Sequence, residues 1–186
     1  IPASISYWVI SASDRMFISQ YLGLETVASY FLANRLLMVI SFFITPFSSI
    51  YTYYLSKKLD TKFNFVFSTY TVILCLVAVM LNYSFPYIAD IFNFSEKFIS
   101  DITIVIWPLS IAFILFNGIA AFNVKRAVEL KQNVIAVEWS LMALINLASN
   151  FIVIPEYGLV GAAYSSLIAF CFGVILIFIN EKLYCK

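Results

Sequence analysis

The chain has 186 residues, of which 63% are hydrophobic, 18% aromatic and only 11% charged, with a mean hydropathy of +0.96. A soluble domain carries about 25% charged residues, and one soluble core of this size cannot bury so much apolar surface, so lipid is the expected solvent for most of the chain. The net charge of +1 offers no basic surface for nucleic acid, and the absence of histidine removes the commonest general base and transition-metal ligand.

A membrane helix needs about 20 consecutive, mostly apolar residues. By that measure the sequence predicts an all-α polytopic bundle of six transmembrane helices, over residues 2–22, 26–55, 63–89, 102–124, 133–154 and 158–180. Pro2 suits a first helical turn. Pro46 and Pro108 fall well inside the second and fourth helices, where loss of a backbone donor and a clash with the preceding turn predict kinks. Pro155 and Gly158 mark a tight turn between the fifth and sixth.

Six spans put alternate loops on opposite sides. One side then collects Lys57, Lys58, Lys62, Lys125, Arg126, Lys131, Lys182 and Lys186, while the other has Arg15 and Lys97. Basic residues accumulate in cytoplasmic loops, so both ends of the chain are expected in the cytoplasm. Tyr51, Tyr53 and Tyr54 are expected in an interfacial belt at the cytoplasmic end of the second helix. Cys75 and Cys171 lie in apolar runs and Cys185 near the polar end, without metal-ligand spacing, so they read as small apolar residues.

Charges inside the spans stand out. Asp14 is eight residues from the end of the first helix and Arg35 nine into the second, which places both about 12–14 Å deep. An unpaired charge in hydrocarbon costs about 2.5–3.5 kcal/mol on insertion scales. One reading is an Asp14–Arg35 ion pair fastening the first two helices. The other is a cationic surface of Arg15 and Arg35 for an anionic substrate; both hold if one arginine is paired and the other free. Asn146 and Asn150, four apart, share a helix face and are expected to hydrogen-bond to a neighbouring helix. Glu138 is placed to pair with Lys131 or Lys125, or to act as a coupling carboxylate. Gly158, Gly161, Ala162, Ala163, Ser165 and Ser166 give the sixth helix a small face for close packing. No nucleophile with a partnered base and no phosphate-binding glycine loop is present, so the chain reads as no enzyme, with no cofactor or metal.

Two stretches carry a resemblance: SDRMFISQYLGLETVASYFLANR over 13–35 and NLASNFIVIPEYGLVGAAYSS over 146–166. They resemble motifs in the C-terminal half of polysaccharide exporters, the O-antigen and capsule repeat-unit flippases of the multidrug/oligosaccharidyl-lipid/polysaccharide transporter superfamily. Where that family often has glycine before the tyrosine, Ala28 and Ser29 stand here before Tyr30. The resemblance implies one lobe of a two-lobe, MATE-like exporter in the bacterial inner membrane, completed by an upstream six-helix lobe. It also implies a transporter flipping undecaprenyl-diphosphate-linked oligosaccharide, in contact with membrane lipids. On that reading Arg15 and Arg35 meet the diphosphate, with Asp14, Asn34, Asn146 and Asn150 along the substrate path. Lys125 and Arg126 lie at the cytoplasmic mouth, for substrate or acidic headgroups. Competing readings are a cation-coupled multidrug or small-solute antiporter lobe, with Asp14 or Glu138 as its carboxylate, and, in another class, a membrane polysaccharide polymerase or acyltransferase.

Overall fold

The computed structural model describes residues 2–56 and 63–184; Lys57, Lys58, Lys62, Cys185 and Lys186 lie outside them, as does the side chain of Tyr54. Helices make up the described chain: α1 Pro2–Leu22, α2 Leu24–Ser41, α3 Ile44–Ser56, α4 Phe63–Ile91, α5 Glu96–Val128 and α6 Gln132–Tyr184. Four stretches, Leu24–Tyr53, Phe65–Ile91, Glu96–Val128 and Gln132–Lys182, are long and apolar enough to cross a membrane. This is an all-α fold with several long apolar helices, consistent with a polytopic membrane bundle. Large apolar side chains crowd its outside, among them Trp8, Phe65, Met80, Tyr83, Phe151 and Phe178, each more than 60% exposed. Such a surface is unsuited to water and suited to lipid.

The second expected helix is two. The chain breaks at Phe42 and Phe43, between α2 and α3. Pro46 explains the position, because its ring crowds the carbonyl four residues earlier, that of Phe42, and it has no N–H to donate. The Phe42 amide donates instead to the Val39 carbonyl at 3.2 Å, a tightened last turn. Pro108, by contrast, is accommodated within a single α5, which extends beyond the expected 102–124 at both ends. Ser95 caps that helix, its side chain accepting from the Phe98 amide at 3.4 Å. Glu96 in the first turn and Lys125 and Arg126 in the last oppose the helix dipole. α4 likewise runs two residues past the expected boundary, through Pro86 to Ile91.

α6 has 53 residues, about 80 Å if straight, against a hydrocarbon core of about 30 Å. It is not straight. At Gly158 the backbone takes φ 60°, ψ −136°, a conformation open to glycine, and the chain folds back on itself. The return is fixed by close pairs symmetric about that point. A Cβ on Gly161 would meet the Val153 carbonyl oxygen at 2.5 Å, and the Asn180 amide donates to Glu138 at 2.6 Å. Residues 132–157 and 159–184 are thus two antiparallel legs, and glycine at 161 lets them touch through their backbones.

α1 packs on α6, α5 lies against α6 and α2, and α3 and α4 cover the other side of α5. One apolar core gathers Ile18, Leu37, Leu74, Ile102 and Leu109 around the α2–α5 contact. A smaller one joins Ile10, Ile119, Trp139, Met142 and Phe170 between α1, α5 and the α6 legs. At one end, Lys97 pairs with Glu25 at 2.8 Å and Gly158 lies against Leu22, so the α1–α2 turn, the start of α5 and the α6 bend cluster together. At the other end, Arg126 joins the end of α5 to both α6 legs. Tyr51 is only 1% exposed and stacks on Phe47 with ring centroids 5.8 Å apart, so it is a core residue rather than part of a belt; Tyr53 is exposed. Cys75 and Cys171 are free and exposed on the apolar exterior.

Candidate functional site

Between α1, α2, α5 and the second leg of α6 lies a cavity of about 460 Å³. α1 supplies Ser11, Asp14 and Arg15; α2 supplies Tyr30, Phe31, Asn34 and Arg35. Phe113 and Phe116 from α5, and Ser166 and Phe170 from α6, complete much of the wall. The charged lining residues all come from α1 and α2, whereas α5 contributes only apolar ones.

Asp14 stands at the inner edge of this space, 5% exposed. The Tyr30 hydroxyl donates to its Oδ2 at 2.8 Å and the Ser166 hydroxyl to the same oxygen at 2.7 Å. The Asn150 amide donates to Oδ1 at 2.7 Å and the Asn146 amide at 3.4 Å. A carboxylate has about four acceptor positions, and four neutral donors from α2 and both legs of α6 fill them. Ser13 extends the network: its hydroxyl donates to Asn146 Oδ1 at 2.7 Å and accepts from Asn150 Nδ2 at 3.1 Å. Burial of this acid is thus offset by hydrogen bonds rather than by a cation. Asn150 Oδ1 and Ser165 Oγ are buried beside this network without a hydrogen-bond partner among the described residues.

The Asp14–Arg35 ion pair expected from matched depths does not form. Arg35 points to the cavity face of α2, with its guanidinium 4.6 Å from the Phe31 ring centre and Nη1 donating to Met38 Sδ at 3.4 Å. Arg15 approaches the same ring at 5.8 Å and donates from Nε and Nη2 to the Ser11 carbonyl at 3.2 and 2.9 Å. Two guanidiniums therefore share one aromatic ring at the cavity wall, each without a carboxylate partner among the described residues. Helix geometry separates Asp14 from Arg15: adjacent residues point about 100° apart, so Asp14 reaches the α6 donors at the inner edge of the cavity while Arg15 lies along its wall. Asn34 also lines the cavity, and its amide donates to the Tyr30 carbonyl at 3.0 Å, one turn back on α2.

Glu138 has a different partner from those expected. Arg126 Nη1 donates to both its oxygens at 2.6 Å, and both side chains are 2% exposed. Arg126 also reaches Glu181 Oε1 from Nε and Nη2 at 3.4 Å and the Ile177 carbonyl at 3.3 Å. Lys131 pairs with Glu129 at 2.8 Å instead, and Lys125 with the same residue at 3.9 Å. Arg126 is therefore a buried clasp between α5 and α6, not a free cation at a mouth.

Of the residues singled out in the sequence, Asp14, Arg15, Asn34 and Arg35 meet at the cavity, with Asn146 and Asn150 directly behind Asp14. Glu138 belongs to the separate Arg126 cluster. Sequence reasoning missed Tyr30, Ser13 and Ser166 as ligands of this network. Ser166 looked like one more small packing residue, and nothing local tells a hydroxyl that packs from one that donates across a helix interface.

No family model, curated protein or solved structure matches this chain. What the chain is rests on its own geometry. It is a helical protein whose several long apolar helices are consistent with a polytopic membrane bundle, with a cavity lined by both charged and apolar side chains.

Proposed function

We propose that this chain is a six-span lobe of a two-lobe exporter that flips an anionic lipid-linked oligosaccharide across the bacterial cytoplasmic membrane. In this reading α2 and α3 form one broken span and the two legs of α6 form two. Both ends face the cytoplasm, by the count of basic loop residues. The undecaprenyl-diphosphate carrier and its O-antigen or capsule repeat unit are what the sequence resemblance implies as cargo. An upstream lobe closes the cavity, and membrane lipids surround the apolar exterior.

One observation carries the proposal: Arg15 and Arg35 face one cavity, and neither is paired with a carboxylate among the described residues. Guanidinium forks match phosphate oxygens, and two of them on one cavity wall can hold the two phosphates of a diphosphate together. Asn34 and Ser11 offer polar groups to a sugar, and Phe31 and Phe116 offer apolar faces. Intramembrane charges that line a cavity mark substrate or ion pathways. The test is complementation of a strain lacking the gene with Arg15→Ala, Arg35→Ala and the double variant, at equal protein level in the membrane. The double variant should reduce surface polysaccharide at least about tenfold, the loss from weakening anion binding by about 1.4 kcal/mol. Full polysaccharide from the double variant contradicts the proposal.

A second reading, a cation-coupled antiporter lobe, draws on Asp14, a buried acid that faces the cavity without a cationic partner. Glu138 is the weaker choice for coupling, because Arg126 already holds both its oxygens. Drug extrusion by the Arg15→Ala/Arg35→Ala variant, abolished by Asp14→Asn, would favour this second reading.

A further inference from the structure

The geometry points to Asp14 as a built-in regulator of anion binding: neutralising its carboxylate strengthens the hold of Arg15 and Arg35 on an anion in the shared cavity. The inference rests on the anion-binding reading given above and adds the direction of its coupling to proton or cation uptake. Three charged side chains line the cavity, Arg15, Arg35 and Asp14, which leaves one net positive charge while Asp14 is ionised and two once it is neutral. Among the described residues no other charged group lines this cavity beside Asp14. From α6 it meets Asn146, Asn150 and Ser166; from α2, Tyr30, with Arg35 further along the wall; from its own helix, Arg15; and α5 offers only apolar lining residues, Leu109, Ala112, Phe113 and Phe116.

Two features make this more than proximity. First, the donors around Asp14 are all neutral, so its charge is not already cancelled by a bonded cation and its loss changes the net charge of the cavity. Tyr30 and Ser166 can reverse their hydroxyls to accept, and Asn150 Oδ1 is buried without a partner among the described residues. Second, neither arginine is tethered to Asp14, so a change in its charge acts on the cavity's field and leaves the arginines free to bind. A unit charge on the wall of the same cavity repels an anion held there, and its removal strengthens binding. Linkage then requires the reverse effect: an anion in the cavity raises the affinity of Asp14 for a proton or cation by the same factor. Positive charge and anion are therefore taken up together, not exchanged.

The experiment uses the purified full chain in nanodiscs with inorganic sulfate, a dianion. Affinity is measured by calorimetry for the wild type, Asp14→Asn and Arg15→Ala/Arg35→Ala. At about pH 8, Asp14→Asn should bind sulfate about tenfold more tightly than the wild type, an ordinary size for coupling between two sites. Equal affinity in the wild type and Asp14→Asn overturns the coupling while the anion site stands, provided that the double arginine variant loses sulfate. Unchanged sulfate binding by the double arginine variant instead removes the anion site itself. Should Asp14→Asn fail to fold, Asp14→Ser takes its place, and an affinity equal to that of the wild type overturns the coupling.

Discussion

Asp14 and Arg35 reach similar depths on neighbouring helices, yet their side chains part company. Depth is a property of the backbone and is legible from residue counts; direction depends on what waits on each face. Asp14 meets Tyr30, Asn146, Asn150 and Ser166, which fill its acceptor positions, while Arg35 lies along Phe31 and stays in the cavity. Exchanging the charges should therefore not rescue anything. The Asp14→Arg/Arg35→Asp variant would put a guanidinium, which has only donors, among four donors, and its amount in the membrane should fall well below that of Arg35→Asp alone. Membrane protein level, by quantitative blot, checks this; a double variant present at wild-type amount would restore the ion-pair reading. The asparagine pair was legible, because i, i+4 spacing puts both amides on one face. Its target was not, since Ser13 and Asp14 lie more than 130 positions away in sequence. Arg126 shows the same limit. Its basic character and place near a helix end suggested an exposed loop charge, whereas the packing of α5 on both legs of α6 encloses it with Glu138.

Breaks and bends set the elements, and here local chemistry was readable in part. Pro46 divides the second apolar run, while Pro108 lies inside a continuous α5, so proline marks a weak point and tertiary packing decides whether the helix opens. The α6 bend rests on Gly158 for its conformation and on Gly161 for the closeness of the legs. Gly161→Ala would thrust a methyl at the Val153 carbonyl, whose ideal separation of 2.5 Å is far inside van der Waals contact. It should destabilise the detergent-solubilised protein by about 1–3 kcal/mol, the usual cost of overpacking. Gly118→Ala is the matched control: its Cβ would meet nothing within 4 Å, and α5 should gain up to about 1 kcal/mol of helix propensity. Thermal midpoints of the two variants settle the matter. A Gly161→Ala protein as stable as wild type would mean that the legs are not in backbone contact.

At the scale of the whole molecule, apolar content and turn residues made the membrane-bundle class legible, because lipid demands long apolar helices whatever their partners. The location of the cavity was not, since it depends on how α1, α2, α5 and α6 are set against one another. That arrangement has a consequence for sidedness under the proposed orientation. Single cysteines introduced at Tyr157 and at Leu130 replace exposed residues at opposite ends of the bundle, so a membrane-impermeant thiol reagent on whole cells should label the first and spare the second. Both positions labelled, or only the second, would refute the topology. Labelling is read against a background lacking Cys75, Cys171 and Cys185.

Transport through this cavity is the central claim, and its most direct measurement is translocation itself. The full protein is reconstituted into vesicles with lipid-diphosphate-linked oligosaccharide, and the fraction of sugar exposed on the far leaflet is followed by a sugar-binding reagent that cannot cross. Wild-type vesicles should move the sugar, and vesicles with Arg15→Ala/Arg35→Ala should move it at least about tenfold more slowly. Equal rates in the two, or no movement by correctly folded wild-type protein, would contradict the account.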